Sequence, residues 1–442
     1  MKQREREQKV VVIGAGAAGM MAACAAASRG AKVVIFEKNE KAGKKLYITG
    51  KGRCNFTNVC ETEDFFPNVV RNPSFLYSSV YCFDAHAVVE WFEEHGVKTK
   101  VERGMRAFPF SDHASDITRC LEKELERLGV EVRFSSEVKE LIIETENAPA
   151  KADVDSAPRK KQRAALRRAE GVLLADGRKI FSDSVIVATG GLSYPSTGST
   201  GDGYRFARSA GHTVSTLSPS LVPFNVREKD ILQLQGLSLK NVTFTVLDGK
   251  KKLFHDMGEM MFTHFGVTGP LILSASALVQ DQIAKGPLAA FIDLKPALSQ
   301  EKLDARILRE MEANRNRSIR NAVRNLYPAR LVPVILDRAG IDALRPVHDI
   351  TAAERRELVL KTKRLDLTLI SLRTFQEAVI TRGGVDVRQV DPGTMESRLV
   401  KGLYFAGEVL DVDAMTGGFN LQIAWSTGRA AGEAAALSPG LA

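Results

Sequence analysis

Cysteine, histidine and tryptophan are scarce in this chain, whose 442 residues hold five Cys, seven His and two Trp. An odd and thinly spread set of cysteines excludes a secreted disulfide scaffold and predicts reduced thiols in a cytoplasmic protein. The histidines are scattered, and no His/Cys/carboxylate spacing fits a ligand set, so no metal site is expected. Long apolar runs are missing too. The nearest is the uncharged stretch 10–27, which follows a charged segment and mimics a secretory signal or a membrane anchor. Gly14, Gly16 and Gly19 interrupt it, weakly apolar Ala dominates it, and Glu5 and Glu7 sit among the basic residues before it, so no membrane insertion is expected. What remains, 44% apolar and 26% charged residues, is an ordinary packed composition, long enough for two or three domains.

Read as packed structure, residues 10–13 form a buried strand and 14–19 a tight turn. Residues 17–29 form an Ala-rich helix closed by Gly30, and 32–36 a second strand ending on Glu37. This is G-x-G-x-x-G, with Ala15, Ala17 and Ala18 between the glycines, inside a strand, turn, helix, strand unit. An acidic residue stands 23 positions (37 − 14) after the first glycine. The pattern predicts a dinucleotide site. Gly14 permits the turn, Gly16 lets backbone approach a pyrophosphate, and Gly19 lets helix and strand pack closely. The helix N-terminus offers N–H groups and a positive dipole end to phosphates. Glu37 accepts hydrogen bonds from a ribose diol. The motif alone leaves NAD and FAD both open, against the alternative of a glycine turn that serves packing only.

Residues 38–58 (KNEKAGKKLYITGKGRCNFTN) have no apolar period and read as a long ligand-facing loop. Lys38, Gly43, Lys44, Lys45 and Lys51 lie in it; Lys44, Lys45 and Lys51 can neutralise phosphate. Arg53, Asn55, Thr57 and Asn58 add further donors. Helices are expected over 83–95 and 114–128, a strand over 130–144, and a mobile insertion over 147–170. Strands at 171–174 and 184–187 follow, the second running into Ala188-Thr189-Gly190-Gly191, where small residues let backbone pass close to a ligand. From 204 to about 371 the texture changes to alternating segments (241–247, 289–294), an Arg-rich helix over 303–325 and further helical patterns to about 363. The chain closes on a strand at 402–406, a turn at Gly407-Glu408 and an Ala-rich helix over 421–436.

Five segments, VVIGAGAAGMMAA (11–23), GKGRCNFTN (50–58), ATGGLSYPSTGSTGDGY (188–204), FTHFGVTGP (262–270) and TMESRLVKGLYFAGEVLDVDAMTGGFNLQIAWSTGRAAG (394–432), span nearly the whole chain. In their order they resemble the BaiN/YhiN-type, aminoacetone oxidase-like family of FAD-dependent oxidoreductases. The resemblance implies an α/β fold: a Rossmann-like, glutathione reductase-like FAD-binding domain in two segments (1–204 and 373–442). A β-barrel-like insert (205–300 and about 340–372) and a helical subdomain (301–340) lie between them. It also implies non-covalent FAD. By position, the pyrophosphate lies at Gly14, Gly16 and Gly19, the adenosine ribose at Glu37 and the adenine at the backbone of Val138. The flavin end lies near Arg53, Cys54, Asn55, Thr189 and Gly190, the ribitol at Gly407 and Glu408, and the pyrimidine edge at Asn420, Leu421 and Gln422. FAD outreaches one mononucleotide crevice, so its flavin half requires a second glycine turn and a second helix N-terminus.

The flavin supplies the redox chemistry and the protein positions a substrate. Cys54 and Cys60 resemble a redox dithiol at first sight, but five residues separate them and no partner His is recognisable near the C-terminus, so isolated thiols are expected. His264 is the expected proton-transfer residue and Arg53 the expected stabiliser of a reduced flavin or a substrate oxyanion; Tyr47 and Tyr194 are further proton donors to weigh. A second G-x-G-x-x-G unit is absent, so a nicotinamide reductant, NADH or NADPH, would dock transiently against the flavin, and oxygen stays open as acceptor. The resemblance leaves two substrate classes open, a conjugated enone of the 3-oxo steroid or bile-acid type to be reduced and an amine to be oxidised. The partner expected is a small molecule. An RNA-acting flavoprotein is the alternative, for which the Arg-rich helical face at 306–330 would be the landing surface.

The net charge of +9 has three sources: residues 2–9 (+2), 148–170 (+4) and 306–330 (+5, seven Arg less two Glu). The rest of the chain is slightly acidic, so basicity alone argues for solvated surface more than for nucleic acid. Nothing in the sequence signals an oligomeric state.

Overall fold

The computed structural model describes residues 7–146 and 166–437. Of the three basic segments, most of the first two lies outside these residues, as does 147–165 of the insertion expected over 147–170. The chain divides into two compact units, one made of residues 1–218 and 379–442, the other of 219–378.

The first unit is built on a five-stranded parallel sheet, in the order Leu403–Phe405, Ser184–Val187, Lys9–Ile13, Lys32–Phe36, Glu131–Arg133. Both chain ends contribute to it, since the C-terminal segment supplies the outer strand. Val10 to Ile13 and Ser184 to Val187 are buried throughout, as expected of parallel strands covered on both faces, which read as continuous apolar runs. The helix Ala17–Ser28 follows the first strand, and nine of its residues, Ala18 to Ala26, are buried. One covering element is the C-terminal helix Phe419–Ala435. Gly428 and Gly432 meet Ala18 and Ala22 there, with no room for a Cβ.

Three expectations are corrected. Residues 38–58 are not structureless: they hold a helical turn at Lys44–Ile48, a 3-10 turn at Thr49–Gly52 and a short strand at Thr57–Asn58. The strand expected over 130–144 is two. Glu131–Arg133 ends the parallel sheet, and Val138–Glu146 pairs antiparallel with Leu166–Leu174, because Ser135, at φ 49°, turns the chain between them. The strand read at 171–174 therefore begins at Leu166.

In the second unit, six strands close an antiparallel barrel in the order Phe224–Val226, Gly266–Thr268, Lys251–Phe262, Ser238–Asp248, Leu288–Asp293, Leu365–Leu372. Phe224, Phe244, Phe262, Ile292, Leu367 and Leu369 are buried in its core, as in small barrels filled by side chains. The helices Gln300–Ala313, Leu331–Arg338 and Ala352–Lys363 share that core through Leu303, Ile307, Met311, Leu331, Ile335 and Leu358. The Arg-rich helix expected over 303–325 stops at Ala313 and resumes as short turns at Ile319–Ala322 and Val323–Asn325.

Candidate active site

The three glycines of the first turn have three different environments. Gly14 has φ 102°, and a Cβ there would lie 2.7 Å from the Ala188 carbonyl oxygen, so the turn is pressed against the end of the neighbouring strand. A Cβ on Gly19 would overlap the Gly14 carbonyl oxygen, which sets the helix directly on the turn. A Cβ on Gly16 meets nothing within 4 Å. Gly16 caps the helix Ala17–Ser28 without a side-chain partner, so the first helical N–H groups beside it are left for a ligand.

Glu37 is buried and ties this turn to the following loop. One carboxylate oxygen accepts from the Ala15 N–H (2.8 Å), the other from the backbone and side-chain nitrogens of Asn39 (2.8 and 2.7 Å). Gly43, at φ 65°, donates to the Ala15 carbonyl (2.8 Å) and starts the turn that carries Lys44. Ser136 donates to the Glu37 carbonyl, which brings Val138, buried at the start of its strand, alongside Glu37. Lys38 pairs with Asp202 (2.6 Å) and Lys44 with Glu40 (2.8 Å).

Around the second glycine turn lies a network that sequence reasoning missed. Lys45 Nζ donates to Glu408 Oε2 and to Ser193 Oγ, both at 2.6 Å, and Glu408 Oε1 accepts from Ser193 Oγ (2.6 Å) and the Thr381 N–H (2.8 Å). Thr381 Oγ1 in turn accepts from the N–H groups of Leu192 and Ser193. Residues more than 180 apart meet here, and no local signal marks Ser193 or Thr381. Gly407 donates to Thr427 Oγ1 (2.9 Å), and a Cβ on it would lie 2.7 Å from that of Ala18. The second turn thus rests on the first helix.

Residues 50–58 are clamped to the C-terminal helix by two bonds, Trp425 Nε1 to the Phe56 carbonyl (2.9 Å) and Thr57 Oγ1 to Gln422 Oε1 (2.5 Å), and to the turn before it by a third, Asn58 Nδ2 to the Gly417 carbonyl (3.1 Å). Within this segment Lys51 and Cys54, between and beside Gly50 and Gly52, have positive φ, a strained backbone for non-glycine residues of the kind found at ligand sites. Asn55 Oδ1 and Thr189 Oγ1 are buried without a hydrogen-bond partner. Buried polar atoms are almost always satisfied, so these two fit a polar cofactor edge.

Several expected side chains are otherwise engaged. Arg53 is held by Glu102 and by Asp112 (Nε to Oδ1 2.8 Å) and covers the Phe108 ring at 4.3 Å; the two carboxylates raise its pKa further and are themselves held below the usual carboxylate range. Gln422 is fully buried, with Nε2 donating to the Phe83 carbonyl and Ser426 Oγ. Asn420 folds back on Ala414 and Met415. What this end of the site offers is therefore backbone: the first N–H groups of Phe419–Ala435, up to Leu421, behind Gly417 and Gly418. Cys54 is buried, which pushes its thiol up to about 12, so it holds no thiolate for dithiol exchange. His264 belongs to the second unit, exposed on the turn before Gly266–Thr268, with its ring edge-on to Phe265. Among the described residues no group of three or more His, Cys, Asp or Glu is placed to hold a metal, and no helix is long and apolar enough to cross a membrane.

The chain is 32% identical over 434 residues to the 3-dehydro-bile acid delta(4,6)-reductase of Clostridium scindens, covering 98% of this chain and 100% of that protein. It is 31% identical over 419 residues to the ribosomal RNA dihydrouridine synthase of Haemophilus influenzae, covering 94% and 96%. Among solved structures, 3-ketosteroid-delta4-(5alpha)-dehydrogenase from Rhodococcus jostii RHA1 superposes with a TM-score of 0.50 over 99% of this chain and 98% of that one, at 15% identity, a likeness of fold. The HI0933-like protein Rossmann domain matches residues 8–434. The chain belongs to this HI0933-like Rossmann family and is an FAD-dependent oxidoreductase.

Proposed function

We propose that the protein reduces a carbon–carbon double bond conjugated to a carbonyl, with the electrons supplied from NADH or NADPH. One observation carries this: two relatives of nearly equal identity, each matched over nearly its whole length, have names that describe this chemistry on different substrates. A 3-oxo-4,6-diene and a uracil ring both present an alkene polarised by a carbonyl, and both products are saturated there. No observation favours amine oxidation.

FAD supplies the hydride-transfer chemistry when bound; the chain's residues hold it and shape the site. Gly16 and the N-terminus of Ala17–Ser28 take the pyrophosphate, Glu37 the adenosine ribose, and the backbone at Val138 the adenine. Gly407, Glu408 and Lys45 border the ribitol. Asn55 Oδ1, Thr189 Oγ1 and the amides at Phe419 to Leu421 face the flavin's polar edge, where N–H groups and a positive helix end favour negative charge. Arg53, already occupied by two carboxylates, positions the 50–58 segment. His264 is proposed as proton donor on its chemistry alone.

The first substrate to test is a steroid 4,6-dien-3-one, incubated with the purified protein and NADH or NADPH. Gain of two hydrogens at the ring supports the reading, and recovery of unchanged dienone with both reductants opposes it. A second reading, favoured by the match to the H. influenzae enzyme, places the double bond in a uracil of ribosomal RNA. Conversion of uridine to dihydrouridine in an added ribosomal RNA transcript tests it.

A further inference from the structure

Seven arginines fall between residues 306 and 330, and the structure divides them. Arg306 pairs with Glu310 (2.7 Å), and Arg330 donates to the carbonyls of Gln235 and Gln233 (2.7 and 2.8 Å). The other five, Arg309, Arg315, Arg317, Arg320 and Arg324, are exposed and meet no carboxylate among the described residues. Elsewhere in the unit Arg227 and Arg356 are likewise exposed without a carboxylate partner among the described residues, but singly, whereas most of its other arginines are paired. Arg338, Arg345, Arg355, Arg364 and Arg373 each hold an acidic partner.

The five are carried on a fixed framework. The Ile319 N–H donates to the Arg345 carbonyl (2.9 Å), the Val347 N–H to the Arg317 carbonyl (3.0 Å), and the Arg320 N–H to the Ala343 carbonyl (3.2 Å). Asn325 Nδ2 reaches Glu310 Oε2 (3.1 Å), which joins the short turns to the helix Gln300–Ala313. Ile307, Met311, Ile319, Ala322 and Val323 are buried beneath. Exposed guanidinium groups without carboxylate partners, carried by linked segments of one packed core, leave a local excess of positive charge that a phosphate backbone neutralises while accepting paired N–H bonds.

We propose that the surface carrying Arg309, Arg315, Arg317, Arg320 and Arg324 docks RNA through its phosphates. This rests on the second reading above, that the substrate base lies in RNA, and it names the surface that holds that RNA. Contacts of this kind position the nucleic acid and do not read its sequence.

The test uses the full chain with FAD bound and a transcribed ribosomal RNA hairpin, titrated from about 50 mM to about 200 mM salt. The variant R315Q/R317Q/R320Q/R324Q is compared with K240Q/K250Q/K251Q/K252Q, which removes the same charge from exposed barrel positions of the same unit. The expected result is a loss of roughly 30-fold or more in RNA affinity and a log–log salt slope shallower by about 3 for the arginine variant alone, with flavin content unchanged. Substitution of the same four arginines by lysine restores most of the binding. Equal binding by the wild type and the glutamine variant overturns the proposal, as does equal loss in the lysine control. Binding of phosphatidylglycerol vesicles in place of RNA also overturns it. Uridine reduction gives a separate readout. If the wild type reduces uridine in RNA and the arginine variant does so with unchanged KM, the surface is wrong and the reaction stands. If RNA binds through the arginines and no uridine is reduced, the surface stands and the reaction is wrong.

Discussion

The backbone at Gly432 lies against the carbonyl oxygen of Ala22 so closely that a Cβ there would overlap it. One turn earlier, a Cβ on Gly428 would lie 2.5 Å from the Ala18 carbonyl oxygen. The helix that opens the glycine turn and the helix that closes the chain therefore touch backbone to backbone, and the two glycine turns are fixed relative to each other. In an exposed helix, Gly→Ala gains about 1 kcal/mol. Here Gly432→Ala reverses sign, and a loss of about 2 to 3 kcal/mol is expected from overpacking, measured by denaturant unfolding. Unchanged or raised stability contradicts the contact.

Gly16 and Gly19 separate cofactor binding from folding. Gly16→Val adds a side chain into open space, so the apo-protein's unfolding midpoint stays near that of the wild type while FAD affinity falls by a factor of ten or more, read by flavin fluorescence titration. Gly19→Ala drives a Cβ into the Gly14 carbonyl, so it lowers stability before any cofactor is added. Identical behaviour of the two variants argues against the separate roles.

Gln422 holds the C-terminal helix to the 50–58 segment through its bond to Thr57, and to the Phe83 carbonyl through a second bond. Gln422→Leu leaves buried groups without partners, at about 1 to 3 kcal/mol for each. Reduced stability together with weakened FAD binding is expected, and full FAD affinity in a destabilised protein shows that the clamp does not shape the site.

His212 is buried, 2.7 Å from Ser397 Oγ, and burial pulls its pKa down from 6.5 to about 4. Because the folded value lies below the unfolded one, the unfolded chain takes up the proton first as pH falls. The associated stability is complete above about pH 6.5 and is lost progressively toward pH 4, by up to about 3 kcal/mol. His212→Gln is expected to flatten the stability profile across that window. A wild-type profile with the same slope as the variant's contradicts the assignment.

Much of the first unit was legible in the sequence because its signals are local. The glycine turn, the helix that follows and Glu37 lie within 24 residues (14–37), and the environments of Gly14 and Gly19 match the turn and packing roles their spacing suggests. The barrel was harder to read. The strand Lys251–Phe262 has consecutive exposed residues and register shifts against its neighbour, so it does not alternate. The engagement of Arg53 by Glu102 and Asp112, and of Gln422 by Thr57, depends on partners 49 to 365 residues away. No motif encodes that, so side chains read as cofactor ligands prove to be committed to the protein.

FAD-dependent reduction of a conjugated alkene is tested most directly by an anaerobic half-reaction. The purified protein is reduced with NADPH or NADH until the visible flavin absorbance is lost, excess reductant is removed, and a 4,6-dien-3-one steroid or a uridine-containing ribosomal RNA transcript is added without oxygen. Return of the flavin absorbance with one acceptor, with one double bond saturated per flavin, is the predicted result. A flavin that stays reduced with both acceptors and reoxidises only when oxygen is admitted contradicts it.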